Sequence, residues 1–427
     1  MPKPKTIIII AASALVIITI VIIIFGTRPA RPTETTLTMW GFEDPATLST
    51  IFTRLKTDQK INIAYTQKQR QNFDQTMLEA LANGTSPDIY QLNHQQLTQY
   101  QNKLVAAPSS IFTLQNYQSR FADVIYSEMV NQKGIWGAPI FLDTLALFYN
   151  KDMFNSMAIP QPPNTWDAFK QDSIILTQKD SRDNILRAGS AWGTGKNVNY
   201  AKDLISALMI QSGTKMTSQD NRQATFNQAV ISNGQSYNTG QKAVEFYTSF
   251  ADVQKETYSW NRRMANSLNT FSQAKSAMTF GYSSDYYWLK KQAPYLNFGV
   301  AAFPQVSQAD LMVNYGDFDV FVVSNRSGKY ISAWQALEYL TQPDNLKTYL
   351  TSAKRPTPAR DLVNWQKQDL ELGIFAQQTL SARSWYQADP AQIDAIFVEM
   401  LDSVVLKEAS IDEAVNRAAE RTTQVLR

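Results

Sequence analysis

The sequence contains no cysteine and a single histidine, His94. The lack of cysteine excludes disulfides, a cysteine nucleophile and the lipid anchor of a lipoprotein, which is attached to cysteine. With one histidine, it also leaves no residues for a zinc site of the His/Cys type. No glycine-rich phosphate-binding loop occurs, and the stretch 180–184 lacks the spacing and the glycine of a calcium loop. We therefore expect no metal and no cofactor.

An excess of charge of one sign is also lacking. The chain has 40 Lys and Arg residues against 37 Asp and Glu residues, and without Lys3 and Lys5 the ratio is 38 to 37. Proteins that bind nucleic acid usually carry a basic face or a basic run, and neither is evident here. The composition therefore argues against nucleic acid as a partner.

One long apolar run is present, at the N-terminus. The segment Ile7–Phe25 is interrupted only by Ser13 and Thr19, and it is long enough for a helix that crosses a bilayer once. Arginine and bulky residues follow it where a cleavage site needs small residues. We therefore predict an uncleaved membrane anchor over residues 1–27. A signal peptide that ends within Ala11–Ala14 is the alternative.

The flanks of this run indicate its orientation. Lys3, Lys5 and the terminal amine outnumber Arg28 and Arg31, so the positive-inside rule favours a C-terminal domain outside the cytoplasm, in the periplasm or at the cell surface. Residues 28–36 contain three threonines and two prolines and are interpreted as a short tether.

After the tether, the sequence alternates between strand-like and helix-like segments. The order is a strand at Leu37–Trp40, a helix that Pro45 opens, a strand at Ile61–Tyr65, a helix over Asn72–Ala82 and a strand at Ile89–Leu92. This β-α-β-α-β order predicts a parallel sheet with right-handed crossovers, and hence an α/β protein.

Later segments repeat the same alternation. Strands are predicted at Lys275–Phe280 and Phe318–Val323, and an amphipathic helix at Tyr330–Thr341. A capping box that begins at Ser410 opens the last helix. The polar segment Gln211–Thr239 is interpreted as ordered surface loops, because it contains spaced aromatic residues.

The stretch Ala138–Phe154 is a strand with an acid, Asp143, in its middle. Apolar residues occupy both alternating sets of positions, so we expect both faces of the strand to be covered. A carboxylate in such a place costs several kcal/mol unless it is paired or hydrated. Asp143 therefore belongs either to a structural hydrogen-bond network or to a cleft onto which the strand opens.

Several short landmarks follow one another along the chain in a distinctive order. They are Leu37–Trp40, Asn83–Ile89, Gly137–Pro139, Tyr149–Asp152, Pro162–Phe169, Phe271–Met278, Phe298–Pro304, Arg355–Arg360 and Ser410–Leu426. Together, from about Leu37 to Arg427, they resemble the bacterial extracellular solute-binding proteins of family 1. These are the maltose-binding-protein-like receptors of ABC importers.

The resemblance implies a two-lobe α/β fold of the periplasmic-binding-protein (Venus-flytrap) type, with a hinge that the chain crosses three times. The implied crossings lie near Asp143–Tyr149, Tyr315–Phe318 and Lys354–Pro358. The implied solute-binding domain is 37–427, with lobe one at about 37–142 plus 318–353 and lobe two at about 145–315 plus 357–427. Ligands of open α/β sheets bind at the carboxyl ends of strands, which here face each other across the cleft.

The resemblance also implies a carbohydrate site. Asp143 lies six residues before Tyr149, at the crossing where the maltose-binding relative has a sugar-binding acid, and a carboxylate can accept two sugar hydroxyls. Aromatic ring faces match the C–H face of a pyranose. The expected ligand contacts are Trp40, Asp143, Tyr282, Tyr286, Phe397, Trp192 and Trp260. For each aromatic residue, the alternative is a place in the core.

Two of these residues are expected as substitutes, because Ser283 stands where relatives carry a stacking tryptophan. Tyr282 and Tyr286 are the nearest rings that could take its place. Phe397 corresponds to another stacking tryptophan of the family, near the C-terminus.

The function implied by the resemblance is that of a monomeric, membrane-anchored receptor without catalytic residues. It would capture a sugar or an oligosaccharide by hinge closure and deliver it to ABC permease subunits. An anchored glycan receptor without transport is one alternative. A glycan-acting enzyme is another, but it would need two carboxylates that face each other across the scissile bond, and the sequence marks no such pair.

Overall fold

The computed structural model describes residues 34–232, 234–309 and 311–427. The predicted anchor over residues 1–27 lies outside the described residues. Within the described ranges, no helix combines the length and the apolar character that a bilayer crossing requires.

Helices and strands alternate along most of the chain. The helices are α1 (Pro45–Gln59), α2 (Phe73–Ala82), α3 (Leu97–Tyr100), α4 (Leu114–Arg120), α5 (Asp123–Met129), α6 (Lys151–Ser156), α7 (Trp166–Leu176), α8 (Ala201–Gln211), α9 (Thr239–Thr248), α10 (Ser267–Ser272), α11 (Ser283–Gln292), α12 (Tyr330–Thr341), α13 (Pro343–Ala353), α14 (Arg360–Gln366), α15 (Gly373–Gln378), α16 (Pro390–Val405) and α17 (Ile411–Leu426).

The strands are β1 (Thr35–Gly41), β2 (Ile61–Gln67), β3 (Ile89–Asn93), β4 (Val130–Asn131), β5 (Gly134–Ile135), β6 (Ala138–Thr144), β7 (Ala146–Asn150), β8 (Gln178–Lys179), β9 (Ile185–Ser190), β10 (Val230–Ser232), β11 (Gln235–Tyr237), β12 (Ser276–Gly281), β13 (Phe298–Ala302), β14 (Asn314–Val323) and β15 (Ala382–Arg383).

The first strand begins earlier than the sequence predicts. Thr35 and Thr36, which were expected in the tether, already pair with Ile61 and Asn62 of β2. Threonine is β-branched and suits an extended backbone, so the strand pairing extends into the polar segment. The predicted tether over residues 28–36 is therefore two residues too long at its C-terminal end.

Two mixed sheets organise the fold. The first has the strand order β15-β14-β3-β1-β2, with β6 also paired to β14, and the second has the order β13-β7-β12-β9-β8. β1 is parallel to β2 and to β3, as the β-α-β-α-β order predicts. β14 runs antiparallel to β3 and to β6, because it enters the first sheet directly from the second half of the fold rather than through a crossover helix.

Each sheet has its own hydrophobic core. The first core packs α1, α2, α12 and α13 against the first sheet and contains Leu37 and Trp334. The second core packs α7, α8, α9, α16 and α17 against the second sheet and contains Leu147 and Phe280. We call these two units lobe one and lobe two.

The chain passes from lobe one to lobe two at Leu145, the single residue between β6 and β7. The Leu145 N–H donates to the carbonyl of Tyr315 (3.2 Å), so this passage is bonded to the next one. The return passage lies within β14, because Tyr315 packs in the core of lobe two and Phe318 in the core of lobe one.

The third passage lies later than the expected Lys354–Pro358 segment. Ala359 and Leu362 still pack in the core of lobe one. Leu372 and Phe375, in contrast, pack against the strand residues of the second sheet.

Two contacts explain this delay. The carbonyl of Pro358 accepts a hydrogen bond from the Ala122 N–H (3.1 Å), and the Arg360 guanidinium donates to the carbonyl of Phe121 (2.7 Å). Both contacts fasten the start of α14 to lobe one. The expected start of the second part of lobe two, residue 357, therefore moves beyond α14.

Candidate functional site

A cavity of 690 Å³ lies between the two lobes, and its volume is within the range of small-molecule sites. Its walls come from both sheets and from the passages between them. The lining residues are Arg70, Asp74, Asn93, Gln95, Gln96, Gln99, Phe141, Asp143, Tyr200, Asp203, Tyr282, Ser284, Asp317, Asp319, Arg355, Asp389, Pro390 and Ala391. We call this space the first cavity.

An ion pair between Arg70 and Asp319 forms part of the lobe-one wall. The buried Asp319 carboxylate accepts both terminal nitrogens of the Arg70 guanidinium and also the side-chain N–H of Gln91 (2.9 Å). The guanidinium stacks 4.2 Å above the ring of Phe42. With these contacts, the fold satisfies both charges without a ligand.

A second charged cluster lies beside the first. The imidazole of His94 is fully buried, with Nδ1 2.6 Å from Glu128 and Nε2 3.5 Å from Asp317, and its ring stacks on Phe318. Burial alone would lower the pKa of His94, but the two carboxylates raise it to about 9. Burial alone would raise the pKa of Asp317, but His94 and Asn93 hold it at about 2.

Asp143 has both of the features that its sequence context left as alternatives. It lines the first cavity, and its buried carboxylate accepts the N–H of Thr144 (2.9 Å) and the N–H (3.1 Å) and hydroxyl of Ser283, at the start of α11. Burial raises the pKa of Asp143 to about 7, against the lowering effect of Ser283 and Arg355. Asp143 therefore joins β6 of lobe one to the first turn of a lobe-two helix.

Arg355 is the other guanidinium in the wall of the first cavity. It lies 4.7 Å from the ring centre of Phe141, in cation–π geometry. The charges of Glu43, Asp143 and Asp319 act on it through space. Among the residues that the structure describes, none accepts a hydrogen bond from its guanidinium or pairs with it within 4.0 Å. Its donors are therefore available to a ligand.

The lobe-two wall combines two tyrosine rings with an acid. The Tyr282 hydroxyl donates to one oxygen of Asp203 (3.0 Å), and its ring meets the edge of Tyr200 at 4.8 Å. The other Asp203 oxygen lies 3.5 Å from the Lys202 ammonium and has no hydrogen-bond donor among the described residues. Burial raises the pKa of Asp203, and Lys202 opposes that shift.

Two of the sequence-predicted site residues lie near the lobes' surfaces but do not line the first cavity. Trp40, at the end of β1, is half-buried with the Lys68 ammonium 3.8 Å from its ring centre. Tyr286 packs against Phe298 on the far face of the second sheet, and its hydroxyl donates to Glu371 (3.3 Å).

Three further predicted contacts lie in the core of lobe two, so the core alternative applies to each. Trp192 packs among other aromatic rings, and Trp260 donates its indole N–H to Thr194 (3.2 Å). Phe397 lies on the inward face of α16, against Phe226. All three have no exposed surface, so none can stack on a ligand in this conformation.

Several charged residues of the cavity wall were not predicted from the sequence. Asp317 and Asp319 occupy alternate positions of the buried strand β14, and the argument that singled out Asp143 applies equally to them. Asp203, with its neighbour Lys202 behind the wall, is a charge in helix α8, whose other residues are uncharged. Arg70 and Arg355 carry no local signal, because only tertiary packing brings them to the cleft.

The described residues contain no group of three or more His, Asp or Glu side chains placed to hold a metal ion. The wall of the first cavity is instead a set of hydrogen-bonding groups from two lobes, with three aromatic rings between them. Such an arrangement can hold a polar molecule by hydrogen bonds and stacking.

Comparison with known proteins identifies relatives of the chain. A binding protein from Brucella abortus (strain 2308) is 25% identical over 275 residues, which are 63% of this chain and 62% of the relative. A binding protein from Brucella suis biovar 1 aligns with the same identity and shares. The alignment thus spans less than two thirds of the length of these relatives.

Solved structures share the fold at low identity. The cyclic α-maltosyl-1,6-maltose binding protein from Arthrobacter globiformis has a TM-score of 0.76 and 16% identity, over 92% of this chain and 99% of that one. The sugar-binding protein MalE from Xanthomonas citri has a TM-score of 0.74 and 17% identity, over 92% and 97% of the two chains. An ABC-transporter solute-binding protein from Thermotoga lettingae, bound to α-D-tagatose, has a TM-score of 0.67 and 19% identity, over 92% and 100%.

A family profile matches residues 50–370, which is more than half of the chain. The chain belongs to the bacterial extracellular solute-binding proteins.

Proposed function

We propose that this chain is the receptor of an ABC importer and that it captures a neutral sugar or oligosaccharide between its two lobes. It acts as a monomer, performs no chemistry on the ligand and delivers it to permease subunits. The apolar run Ile7–Phe25 holds it at the cytoplasmic membrane, with the binding domain outside. Sugars are the ligands named for several structural neighbours, among them maltotetraose and α-D-tagatose.

The observation that carries the proposal is the composition of the first cavity. Sugar hydroxyls both donate and accept hydrogen bonds, and a pyranose has an apolar C–H face. The wall provides donors at Arg355, a carboxylate acceptor at Asp203 and parts of three aromatic rings, of which Tyr200 is more exposed than Phe141 and Tyr282. These groups belong to opposite lobes, so a ligand touches all of them only when the lobes are close together.

Binding is then a population shift between open and closed arrangements. Contacts that exist in the closed state alone stabilise that state by the difference in affinity between the two arrangements. The narrow passages at Leu145 and within β14 are the places where the backbone can bend. Of the residues expected from the sequence, Asp143 and Tyr282 keep a proposed role at the ligand. Asp143 holds Ser283 in place beside the cavity, and Tyr282 contributes its aromatic ring to the wall.

Isothermal titration of the purified domain tests the proposal. The panel contains neutral mono- and oligosaccharides, uronic acids, peptides and inorganic anions. We expect binding of at least one neutral glycan, with no release of reducing sugar during the titration. Binding of a peptide or an anion, with no response to any neutral glycan, would overturn the carbohydrate assignment. Hydrolysis of the glycan would contradict the receptor assignment.

The Arg355→Gln variant gives the sharpest test of the site. The free guanidinium is expected to donate charged hydrogen bonds to the ligand, so its loss should weaken binding by about 1.5–3 kcal/mol. Arg360→Gln is the matched control, because Arg360 lies in the same segment but pairs with Asp123 outside the cavity. Equal affinities for the two variants would place the ligand away from Arg355.

A further inference from the structure

A second cavity, of 560 Å³, also lies between the two lobes. On the lobe-one side it is lined by Ser127 of α5 and Asn131 of β4, and on the lobe-two side by Thr217 and Tyr386. It meets the first cavity at Gln95, which lines both. Gln95 therefore lies between two adjacent cavities of the interlobe cleft, which we call its two compartments.

A ring of four side chains divides the compartments, and we call it the septum: Gln95, Lys202, Tyr315 and Gln387. The Lys202 ammonium donates to the side-chain oxygens of Gln95 (3.2 Å) and Gln387 (3.0 Å). The side-chain N–H groups of Gln387 (3.0 Å) and Gln95 (3.4 Å) in turn donate to the Tyr315 hydroxyl. The four hydrogen bonds close a circle.

The septum is assembled from both lobes. Gln95 follows β3 in lobe one, whereas Lys202 lies on α8 and Gln387 precedes α16, both in lobe two, and Tyr315 packs in the lobe-two core. Separation of the lobes therefore removes Gln95 and leaves the other three members together. Lys202 then loses one acceptor and keeps Gln387 and the Asp203 carboxylate, 3.5 Å away.

The chemistry of the second cavity suits the same class of ligand as the first. Tyr386 and Trp385 supply aromatic rings, and Asn131 and Thr98 supply uncharged hydrogen-bonding groups. The hydroxyl of Ser384 lies in the same wall. Rings beside amides and hydroxyls are the groups that hold a carbohydrate.

We propose that the cleft accepts an extended oligosaccharide that runs from the first cavity into the second, through the position of Gln95. This inference rests on the proposed function and deepens it. Hydroxyl groups of the long ligand replace Gln95 as partners of Lys202 and Tyr315. When the lobes close on a short ligand, Gln95 rejoins Lys202 and Tyr315 in the septum, and the second cavity holds no sugar.

The cysteine-free chain allows a direct test with single-cysteine reporters. Ala391→Cys reports on the first cavity and Thr217→Cys on the second. Each variant is treated with a thiol reagent in the presence of glucose-, xylose- or galactose-based oligosaccharides of increasing length. We expect short members to protect Ala391→Cys alone and long members to protect both reporters. All members close the lobes, so a difference between short and long members reports whether sugar occupies the second cavity.

The two assignments fail in different ways in this experiment. Protection of Ala391→Cys with no length-dependent protection of Thr217→Cys overturns the second compartment and leaves the proposed function intact. If no member of the series protects Ala391→Cys, the proposed function fails and this inference falls with it.

Removal of Gln95 tests the septum by titration. Gln95→Ala should weaken the binding of short ligands by about fivefold, the equivalent of a net hydrogen bond of about 1 kcal/mol, and leave long ligands unaffected. Gln75→Ala is the matched control, because Gln75 is an exposed glutamine on α2 that bonds only to Glu79. An equal loss of affinity for all lengths would contradict the proposal.

Discussion

At the scale of single residues, the side chains of the cleft differ in whether the fold already satisfies them. Arg70 and Asp319 bind each other, and Asp317 is held by His94. Arg355 has neither a hydrogen-bond acceptor nor an ion-pair partner among the described residues, and one oxygen of Asp203 has only the Lys202 ammonium, at 3.5 Å. Arg355 and Asp203 are therefore the charged groups of the wall that a ligand can contact without breaking a hydrogen bond between protein side chains at the contacted atoms.

The charge of His94 makes a prediction about stability and pH. Its pKa is 6.5 in the unfolded chain and about 9 in the fold, so the stabilisation from the protonated ring is full below pH 6.5 and is lost as the pH rises through 9. We expect the wild type to lose on the order of 3 kcal/mol relative to His94→Gln across this range. Urea unfolding of both proteins at pH 6.5 and pH 9.5 measures the difference.

His94 can also be titrated directly, because it is the single histidine of the chain. Its imidazole resonance should shift near pH 9 in the folded protein. A midpoint near 6.5 would mean that Glu128 and Asp317 do not hold the proton, and the expected pH dependence of the unfolding free energy would then be absent.

At the scale of elements, a strand of one lobe is joined to a helix of the other. The Asp143 carboxylate on β6 accepts the N–H and hydroxyl of Ser283, the first residue of α11. The N-terminus of a helix favours a negative charge, which would lower the pKa of an acid. The pKa of Asp143 is nevertheless raised to about 7, so the penalty of burial exceeds the favourable contacts.

The raised pKa of Asp143 sets the direction of a second prediction. The unfolded pKa is 3.8 and the folded pKa is about 7, so the folded state binds the proton more tightly, and this residue makes the protein less stable as the pH rises from about 4 to 7. Asp143→Asn removes that dependence. Its free energy of unfolding, relative to the wild type, should therefore increase with pH over this range in urea titrations.

An acid with the opposite shift serves as the control. Hydrogen bonds from Asn184 and Arg182 lower the pKa of the exposed Asp180. Asp180 therefore stabilises the fold above its unfolded pKa, and this stabilisation is lost as the pH falls. The free energy of unfolding of Asp180→Asn, relative to the wild type, should decrease with rising pH, which is opposite to the change expected for Asp143→Asn. If Asp143→Asn and the wild type keep parallel profiles, Asp143 is ionised throughout this range.

At the scale of the whole molecule, two lobes meet across a cleft that hydrogen bonds bridge at the septum and at Asp143. The lobes have separate cores and are connected by short backbone passages, so relative motion of the lobes changes the cleft while it leaves each core packed. A receptor that works by closure needs this separation between stable units and a movable boundary.

The proposed anchor gives a prediction at this scale. The full chain should sediment with membranes after cell breakage, whereas a variant without residues 1–27 should remain in the soluble fraction. Because the cleft lies entirely within residues 70–391, both forms should bind the same glycan with equal affinity. Recovery of the full chain in the soluble fraction would contradict the anchor, and a difference in affinity would mean that the N-terminal segment reaches the cleft.

Local chemistry in the sequence determined much of the fold. The helix that Pro45 opens, the capping box at Ser410 and the amphipathic helix at Tyr330–Thr341 all occur as predicted. These features depend on neighbours within a few positions, so a single segment contains the information for them. The order of the landmarks likewise indicated the family, which the profile over residues 50–370 confirms.

The site depended on tertiary structure to a much greater degree. An aromatic residue at a strand end can face the core or the cleft, and Trp192 and Trp260 face the core. Arg355 and Arg70 reach the first cavity from segments 285 positions apart, because two lobes fold against each other. Whether a charged side chain is buried or paired depends on residues that are distant in the sequence and pack against it in the fold. The sequence therefore determined the elements and the family, and only the packed lobes decided which polar groups stay free for a ligand.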